Sequence, residues 1–349
     1  MNDSISDKPS IRKAGPAKRK VVGEPMKNSI TVEYLQSGQT LPCLIQSLGE
    51  DVDGIAWAAA NREFIEAQLL RHGGILFRGL KLGGVAEFEE FIRTVAGELV
   101  DYSYQSTPRH RVNGNIYTST EYPANQSIPL HNEMAYTHSW PMKIAFYCLI
   151  TAAEGGETPI ADSRKVFAGI EPKIKESFMQ RQIMYVRNYR EEIDLPWTTV
   201  FQTPSKAVVE AYCRQAGIEF QWLDNNHLRT RQVCEAVRKH PLTGEMVWFN
   251  QAHLFHVSNL PPKVRESLAV IYKEEDYPRN AYYGDGTPIE DAVLDHIREA
   301  YQHEEISFAW HEGDVLLLDN MLTAHGRRPF TGLRQVVVGM AQPSNPDAA

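Results

Sequence analysis

Cysteine is scarce in this sequence: Cys43, Cys148, Cys213 and Cys234 are its only four, and no two stand in a Cys-x-x-Cys spacing. That pattern excludes a disulfide framework and a thiolate zinc site, and it reads as free, mostly buried thiols. Long apolar runs are also missing. No stretch reaches the roughly eighteen consecutive apolar residues of a bilayer-spanning helix. Met1 to Lys20 is polar and has no apolar core of a secretory signal, so the expected location is cytoplasmic. Positive charge is in deficit, with 36 Lys+Arg against 44 Asp+Glu and a net charge of −8. Such a chain has no general attraction for a phosphate backbone; a small-molecule ligand is expected, with neither nucleic acid nor membrane as partner. No His-Glu-x-x-His occurs. The nearest pattern, His253-Leu-Phe-His256, lacks a partner carboxylate, which argues against a zinc hydrolase.

What is present is the composition of a globular protein, 42% hydrophobic and 23% charged. Residues 1–29 carry seven Lys/Arg against three Asp/Glu with almost no apolar periodicity, the pattern of a disordered basic tail. Residues 30–349 are expected to form one domain. Its beginning bears helices: Asp53 to His72 has helical spacing and stops at Gly73-Gly74, Ile75 to Phe77 is a buried strand, and Val85 to Val95 is a second amphipathic helix.

Short β-branched or aromatic stretches follow, at Asn115–Thr120, Ile144–Ile150, Gln182–Arg187, Glu219–Leu223, Gln232–Arg238, Glu245–Asn250, Ser307–Trp310, Val315–Leu318 and Arg334–Val338. Two helices interrupt them, Ala207–Gln215 and Ile289–Gln302, the latter opened by Thr287-Pro288 as N-cap and first turn. Strands and helices do not alternate, so the expected fold is mainly β with flanking helices (α+β). It would have a closed or double-sheet core such as a jelly roll, and a helical insert within about residues 160–310.

Near the centre lies Pro129-Leu-His-Asn-Glu-Met-Ala-Tyr-Thr-His-Ser-Trp-Pro141. In extended backbone His131 and Glu133 project from one face, so one ion can touch both. They supply two thirds of the 2-His-1-carboxylate triad that holds non-haem Fe(II). With 12 His and 44 acidic residues in 349, roughly one or two His-x-acid matches arise by chance, and His303-Glu304-Glu305 is a second one. Only His131-Glu133 has half a barrel of chain ahead of it to supply a distal histidine. His325 is the best candidate, following the apolar strand Asp314–Asp319 in Ala324-His-Gly-Arg327. Arg334 opens the next strand, and a guanidinium binds a carboxylate bidentately. In Gly155-Gly-Glu-Thr158-Pro the glycines admit close backbone approach and the Thr158 hydroxyl can donate to the same carboxylate.

The order His131-x-Glu133, Gly155-Gly-Glu-Thr158, Asp319-Asn320, His325-Gly-Arg327 and Arg334 resembles the taurine dioxygenase and 2,4-dichlorophenoxyacetate dioxygenase family over about residues 35 to 342. Those enzymes are Fe(II)/2-oxoglutarate-dependent oxygenases on a double-stranded β-helix (jelly roll). The wording Leu130-His-Asn-Glu-Met-Ala-Tyr136, Thr158-Pro-Ile-Ala-Asp162-Ser-Arg164 and Trp248-Phe-Asn250-Gln251 is similar to the amino-acid hydroxylase branch of syringomycin-type peptide pathways. The resemblance implies that His131, Glu133 and His325 ligate Fe(II), that Thr158 and Arg334 hold the distal carboxylate of 2-oxoglutarate, and that O2 is the oxidant. Arg327 or Arg328 is the alternative to Arg334. Many members carry Asp where this chain has Glu133, as a Glu-bearing subgroup does. Related halogenases lack that carboxylate, so Glu133 implies hydroxylation.

Met134, Tyr136, Arg109 and Asn250 are the expected substrate-binding residues, with Trp140, Arg164 and Arg187 as further candidates. The substrate implied is an amino acid, free or presented by a peptidyl carrier protein. Another small organic acid is the milder alternative, and a homo-oligomer stays open. A non-catalytic β-barrel ligand binder or accessory protein would be expected to show a damaged triad, and here no ligand is missing.

Overall fold

A computed structural model describes residues 30–344 apart from 37, 50–51, 102–108, 120–121 and 191–193. The basic tail expected at 1–29 lies outside the described residues. An eight-stranded sheet takes its strands in the order Ile30–Tyr34, Cys43–Ser47, Gly74–Arg78, Val315–Asp319, Pro141–Ile150, Gln335–Pro343, Ile116–Thr118 and Arg111–Asn113. Only the second and third of these run parallel. A three-stranded sheet, Ile128–His131, Thr323–Arg327 and Ile160–Asp162, completes the expected double-stranded β-helix.

Strand periodicity explains how the large sheet is buried on both faces. In Pro141–Ile150 the side chains of Ile144, Phe146 and Cys148 enter the core between the sheets, while Ala145 and Tyr147 enter the core under the N-terminal helices. Leu316 and Leu318 alternate with Val315 and Leu317 in the same way, as do Val336, Val338 and Met340 with Val337 and Ala341. Two buried faces produce the near-continuous apolar runs seen in the sequence, and each large aliphatic side chain contributes about 1.5–3 kcal/mol. Gly339 allows close approach: a Cβ there would stand 2.4 Å from Ile92 Cδ1, so a larger residue would make the side chains of the helix Val85–Ala96 shift.

Between the two halves of the barrel a four-stranded sheet, in the order Glu219–Trp222, Leu228–Cys234, Ile183–Tyr189 and Arg279–Tyr283, packs with several helices around its own apolar cluster. Helices Ser163–Gly169, Pro172–Arg181 and Pro262–Ile271 fall within the stretch of about 160–310 where a helical insert was expected, but were not individually expected. Their signals are local and weak: Asp162 Oδ1 accepts from Arg164 N at 2.9 Å, and Pro172 and Pro262 occupy first turns.

Other expectations are corrected. Asp53 to His72 is two helices, Gly54–Ala60 and Arg62–His72, because Asn61 leaves helical geometry and turns its amide onto Trp57 O. Gln232–Arg238 is the end of one strand and the start of another, broken where Ala236 O accepts from Phe249 N and Asn250 Nδ2. The last long helix starts at Asp291, while Thr287 closes a turn on Asp285 Oδ1. Ser307–Trp310 is not a strand; its aromatics fill the core between the sheets. All four cysteines are free and buried. Among the described residues, no helix is long and apolar enough to cross a membrane.

Candidate active site

The two strands that carry the histidines are hydrogen-bonded neighbours, and His131 stands directly opposite His325. Their ring centroids are 4.6 Å apart. Glu133 follows two residues on, and its Oε2 lies 3.8 Å from His325 Nε2. One potential ligand atom from each of the three residues falls within 4.8 Å of the others, the only such metal-holding group among the described residues.

Proton positions follow from the partners. Pro129 O can only accept, so His131 Nδ1 at 2.8 Å carries the hydrogen and Nε2 presents a bare lone pair. Burial lowers the pKa of His131, against the pull of Glu133. It lowers that of His325 well below the ordinary value, with the neighbouring His131 and Arg109 acting in the same direction. Two neutral imidazoles and a carboxylate on one face are the donor set for Fe(II) with open positions, and are one ligand short of a closed zinc site.

Glu133 is held at both ends. Its Oε2 accepts from Arg109 Nη2 at 2.7 Å, with the two side chains 3% and 4% exposed. Its backbone is clamped by Asn320: Glu133 N donates to Asn320 Oδ1 at 2.7 Å, and Asn320 Nδ2 donates to Glu133 O at 2.9 Å and Pro141 O at 2.8 Å. Asn320 follows Asp319, whose Oδ2 accepts from His240 Nε2 at 3.0 Å and whose Oδ1 accepts from Met321 N and Leu322 N. His240 Nδ1 accepts from Leu242 N and Thr243 N, so Nε2 is the protonated nitrogen. Gln251 Nε2 donates to Asn132 O at 2.7 Å, and His253 Nε2 donates to Leu130 O at 2.9 Å. These supports of the His131–Glu133 segment escape sequence reasoning, except that Asp319-Asn320 stands out as a motif.

Beside the histidines, a narrow cavity is lined by Thr158, Arg334, Ser119, Phe146, Arg109 and Arg327 among others. Thr158 Oγ1 accepts from Trp310 Nε1 at 3.1 Å, which leaves its own hydrogen to donate. Arg334 donates from Nε to Gly156 O at 2.8 Å and from Nη1 to Ser119 Oγ at 3.5 Å. Gly156 has φ +74, and a Cβ on it would stand 2.9 Å from Arg334 Cδ; the Gly-Gly pair admits the guanidinium. Burial, and then Arg327, push the pKa of Arg334 down to about 10, so it stays charged at neutral pH in a place that favours an anion.

The competing arginines are committed elsewhere. Arg327 donates to Tyr122 O, Pro123 O and Gln126 O, and half-exposed Arg328 pairs with Glu305. In the alternative match His303-Glu304-Glu305, His303 is 85% exposed and Glu305 pairs with Arg328.

The expected substrate residues divide. Met134 is half-buried at φ +56 in the wall of a large groove. Tyr136 is buried against Tyr185 and Phe255. Arg109 lies inside, on Glu133. Asn250 does not face a mouth: it is fully buried, its Nδ2 donating to Ala236 O and its Oδ1 accepting from Ala252 N. Arg164 pairs with Asp162 and Glu245, and Arg187 stacks over Tyr189.

Known proteins are similar to this chain in sequence and in fold. The profile of the taurine catabolism dioxygenase TauD, TfdA family matches residues 40–341. The dapdiamide synthesis protein DdaC of Enterobacter agglomerans is 43% identical over 328 residues, 93% of this chain and 98% of that protein. A clavaminate synthase-like protein of Arabidopsis thaliana is 28% identical over 298 residues, 81% and 85% of the two chains. Among solved structures, the PvcB protein of Pseudomonas aeruginosa superposes with a TM-score of 0.55 at 13% identity, covering 91% of this chain and 92% of that one. AAD-2 in complex with Mn(II) and N-oxalylglycine does so with 0.53 at 12% identity, covering 91% and 99%. At such identities the two structures show the fold alone. With the family profile spanning residues 40–341 and an intact triad within that span, the chain belongs to the TauD, TfdA family and is an Fe(II)- and 2-oxoglutarate-dependent dioxygenase.

Proposed function

We propose that the enzyme hydroxylates an unactivated carbon of an amino-acid side chain, free or tethered to a carrier protein, in a biosynthetic pathway of the syringomycin type. The observation that carries the chemistry is the convergence of His131, Glu133 and His325 beside a buried, charged Arg334. The substrate class is supported by the likeness to a dapdiamide synthesis protein and by the Leu130–Tyr136 wording.

Fe(II) with 2-oxoglutarate and O2 supplies the oxidant for such a carbon, 2-oxoglutarate leaving as succinate and CO2. The chain's own residues do the rest. His131 Nε2, His325 Nε2 and Glu133 would hold the metal from one side, and the contact of Pro129 O with His131 Nδ1 keeps that ring in its ligating tautomer. Arg109, donating from Nη2 to Glu133 Oε2 at 2.7 Å, fixes the orientation of the carboxylate beside His325. Arg334 and Thr158 bind the distal carboxylate of 2-oxoglutarate by charge-assisted hydrogen bonds. Phe146 and Trp310, both nearly inaccessible, exclude water from the cavity.

Anaerobic addition of Fe(II) and 2-oxoglutarate should produce a weak visible charge-transfer band, lost in His131→Ala and Glu133→Ala. Succinate release should then be triggered by amino acids or their thioesters. Turnover only with sulfonates, phenoxyacids or quaternary amines would overturn the substrate reading, and a band retained in both variants would overturn the ligand set.

A further inference from the structure

A groove of about 960 Å³ lies outside the triad, between the end of the large sheet at Pro141 and Pro343 and the four-stranded sheet at Gln182 and Gln232. One wall is drawn from the segment Met134 to Pro141, which begins one residue after Glu133. Met134 also packs against the cluster containing Phe146, Ile160 and Trp310, and Phe146 lines the cosubstrate cavity, so Met134 stands between the groove and that cavity. A free amino acid fills only a small part of such a volume; an extended chain fills it.

Two side chains in the wall are incompletely paired. Trp140 and Gln232 are 6% and 5% exposed. The Trp140 ring packs on Phe249 and is covered by the Arg238 guanidinium at 4.4 Å, yet its Nε1–H has no acceptor among the described residues. Gln232 Nε2 donates to Ala216 O at 3.1 Å, while Gln232 Oε1 has no donor. Buried polar groups are nearly always paired. A donor lacking an acceptor and an acceptor lacking a donor, in the wall of one groove, are the complement of a secondary amide. The charges nearby balance, Arg214 and Arg238 against Asp101 and Glu235, which favours an uncharged linker over an anion. Both unpaired atoms are themselves buried, with almost no accessible surface. Arg238 covers the indole ring and is held there by its 3.0 Å pair with half-exposed Glu235, so a ligand reaches the N–H only if Arg238 moves aside.

We propose that the groove binds a chain carrying a secondary amide, whose carbonyl accepts from Trp140 Nε1 and whose N–H donates to Gln232 Oε1, and directs the end of that chain past Met134. Binding is independent of the reaction; that the bound chain is the substrate rests on the function proposed above. The amide can come from an N-acylated or peptide-linked amino acid, or from the amide-bearing thioester arm of a carrier protein.

Calorimetric titration of the anaerobic Fe(II)/2-oxoglutarate-loaded enzyme tests this, using a panel of N-acetyl amino-acid N-methylamides, the matching aminoacyl pantetheine thioesters and the free amino acids. At least one amide-bearing probe should bind roughly tenfold or more tightly than its free amino acid. Trp140→Phe and Gln232→Met should each weaken that probe by about tenfold, the worth of one hydrogen bond, and leave the free amino acid unchanged. Preference for the N-methylamide or for the thioester identifies the source, and either supports the site. The inference is overturned if no amide probe exceeds its free amino acid, or if the folded variants bind the amide as the parent does. The charge-transfer band of the same samples keeps the two readings apart: its absence refutes the dioxygenase assignment, whereas a normal band with unaltered amide binding sinks only the groove.

Discussion

Replacing Asn320 by Ala should damage the iron site through a residue that touches no ligand atom. The side chain supplies an acceptor to Glu133 N and donors to Glu133 O and Pro141 O, all at 2.7–2.9 Å in a fully buried setting. Truncation forfeits three hydrogen bonds at about 1 kcal/mol each and strands a buried N–H, so a loss of roughly 3–5 kcal/mol is expected. That is a large share of a typical stability of about 5–15 kcal/mol. Met134, the next residue, sits at φ +56, and Glu133 should lose its aim once the clamp is gone. Supports of this kind are worth about 10–100-fold in metal affinity. Urea unfolding of the metal-free protein measures the first quantity, and Fe(II) titration followed by the 2-oxoglutarate band measures the second. Asn320→Asp is the sharper variant, because it retains the acceptor for Glu133 N but faces two carbonyl oxygens with a carboxylate. A variant that loses stability yet binds Fe(II) with undiminished affinity and an unshifted band would show that Asn320 only packs the core.

Arg334→Ala should raise the KM for 2-oxoglutarate by roughly 10–100-fold, the worth of a charge-assisted contact, while Arg327→Ala acts mainly on stability through the carbonyls of residues 122–126. Steady-state kinetics on 2-oxoglutarate checks this, and equal KM effects of the two variants would refute it. Burial lowers the pKa of His253 from 6.5 to about 4. The unfolded chain therefore takes up its proton first on acidification, and the stability due to neutral His253 is complete above about pH 6.5 and is lost between there and about pH 4. The loss amounts to roughly 3 kcal/mol. The midpoint of metal-free urea unfolding should therefore fall as pH drops across that range, and His253→Gln, which retains a donor for Leu130 O, should reduce the fall.

The local code of the chain carries a good part of this enzyme. Near-continuous apolar runs at Ile144–Ile150, Val315–Leu318 and Arg334–Val338 mark strands buried on both faces, because alternate side chains go to different cores. The spacing of His131 and Glu133 is itself a metal geometry, and Gly155-Gly156 announces a close approach that proves to be by Arg334. Where local signals compete, reading them fails: Thr287-Pro288 looks like a helix start but closes a turn, and Phe308 and Trp310 look like a strand because they are core residues without being in one.

Only the tertiary structure could decide what brings the site together. The clamp on Glu133 comes from a residue 187 positions away, and the contact between Trp310 and Thr158 spans 152. That Arg327 is occupied by the carbonyls of Tyr122, Pro123 and Gln126, and Arg328 by Glu305, is likewise something no spacing records. Sequence periodicity reports the face on which a residue lies within its own element; which groups then meet across elements is set by how the two sheets close. The two ligand strands could therefore be identified separately from the chain, but their pairing, His131 directly opposite His325, exists only in the closed barrel.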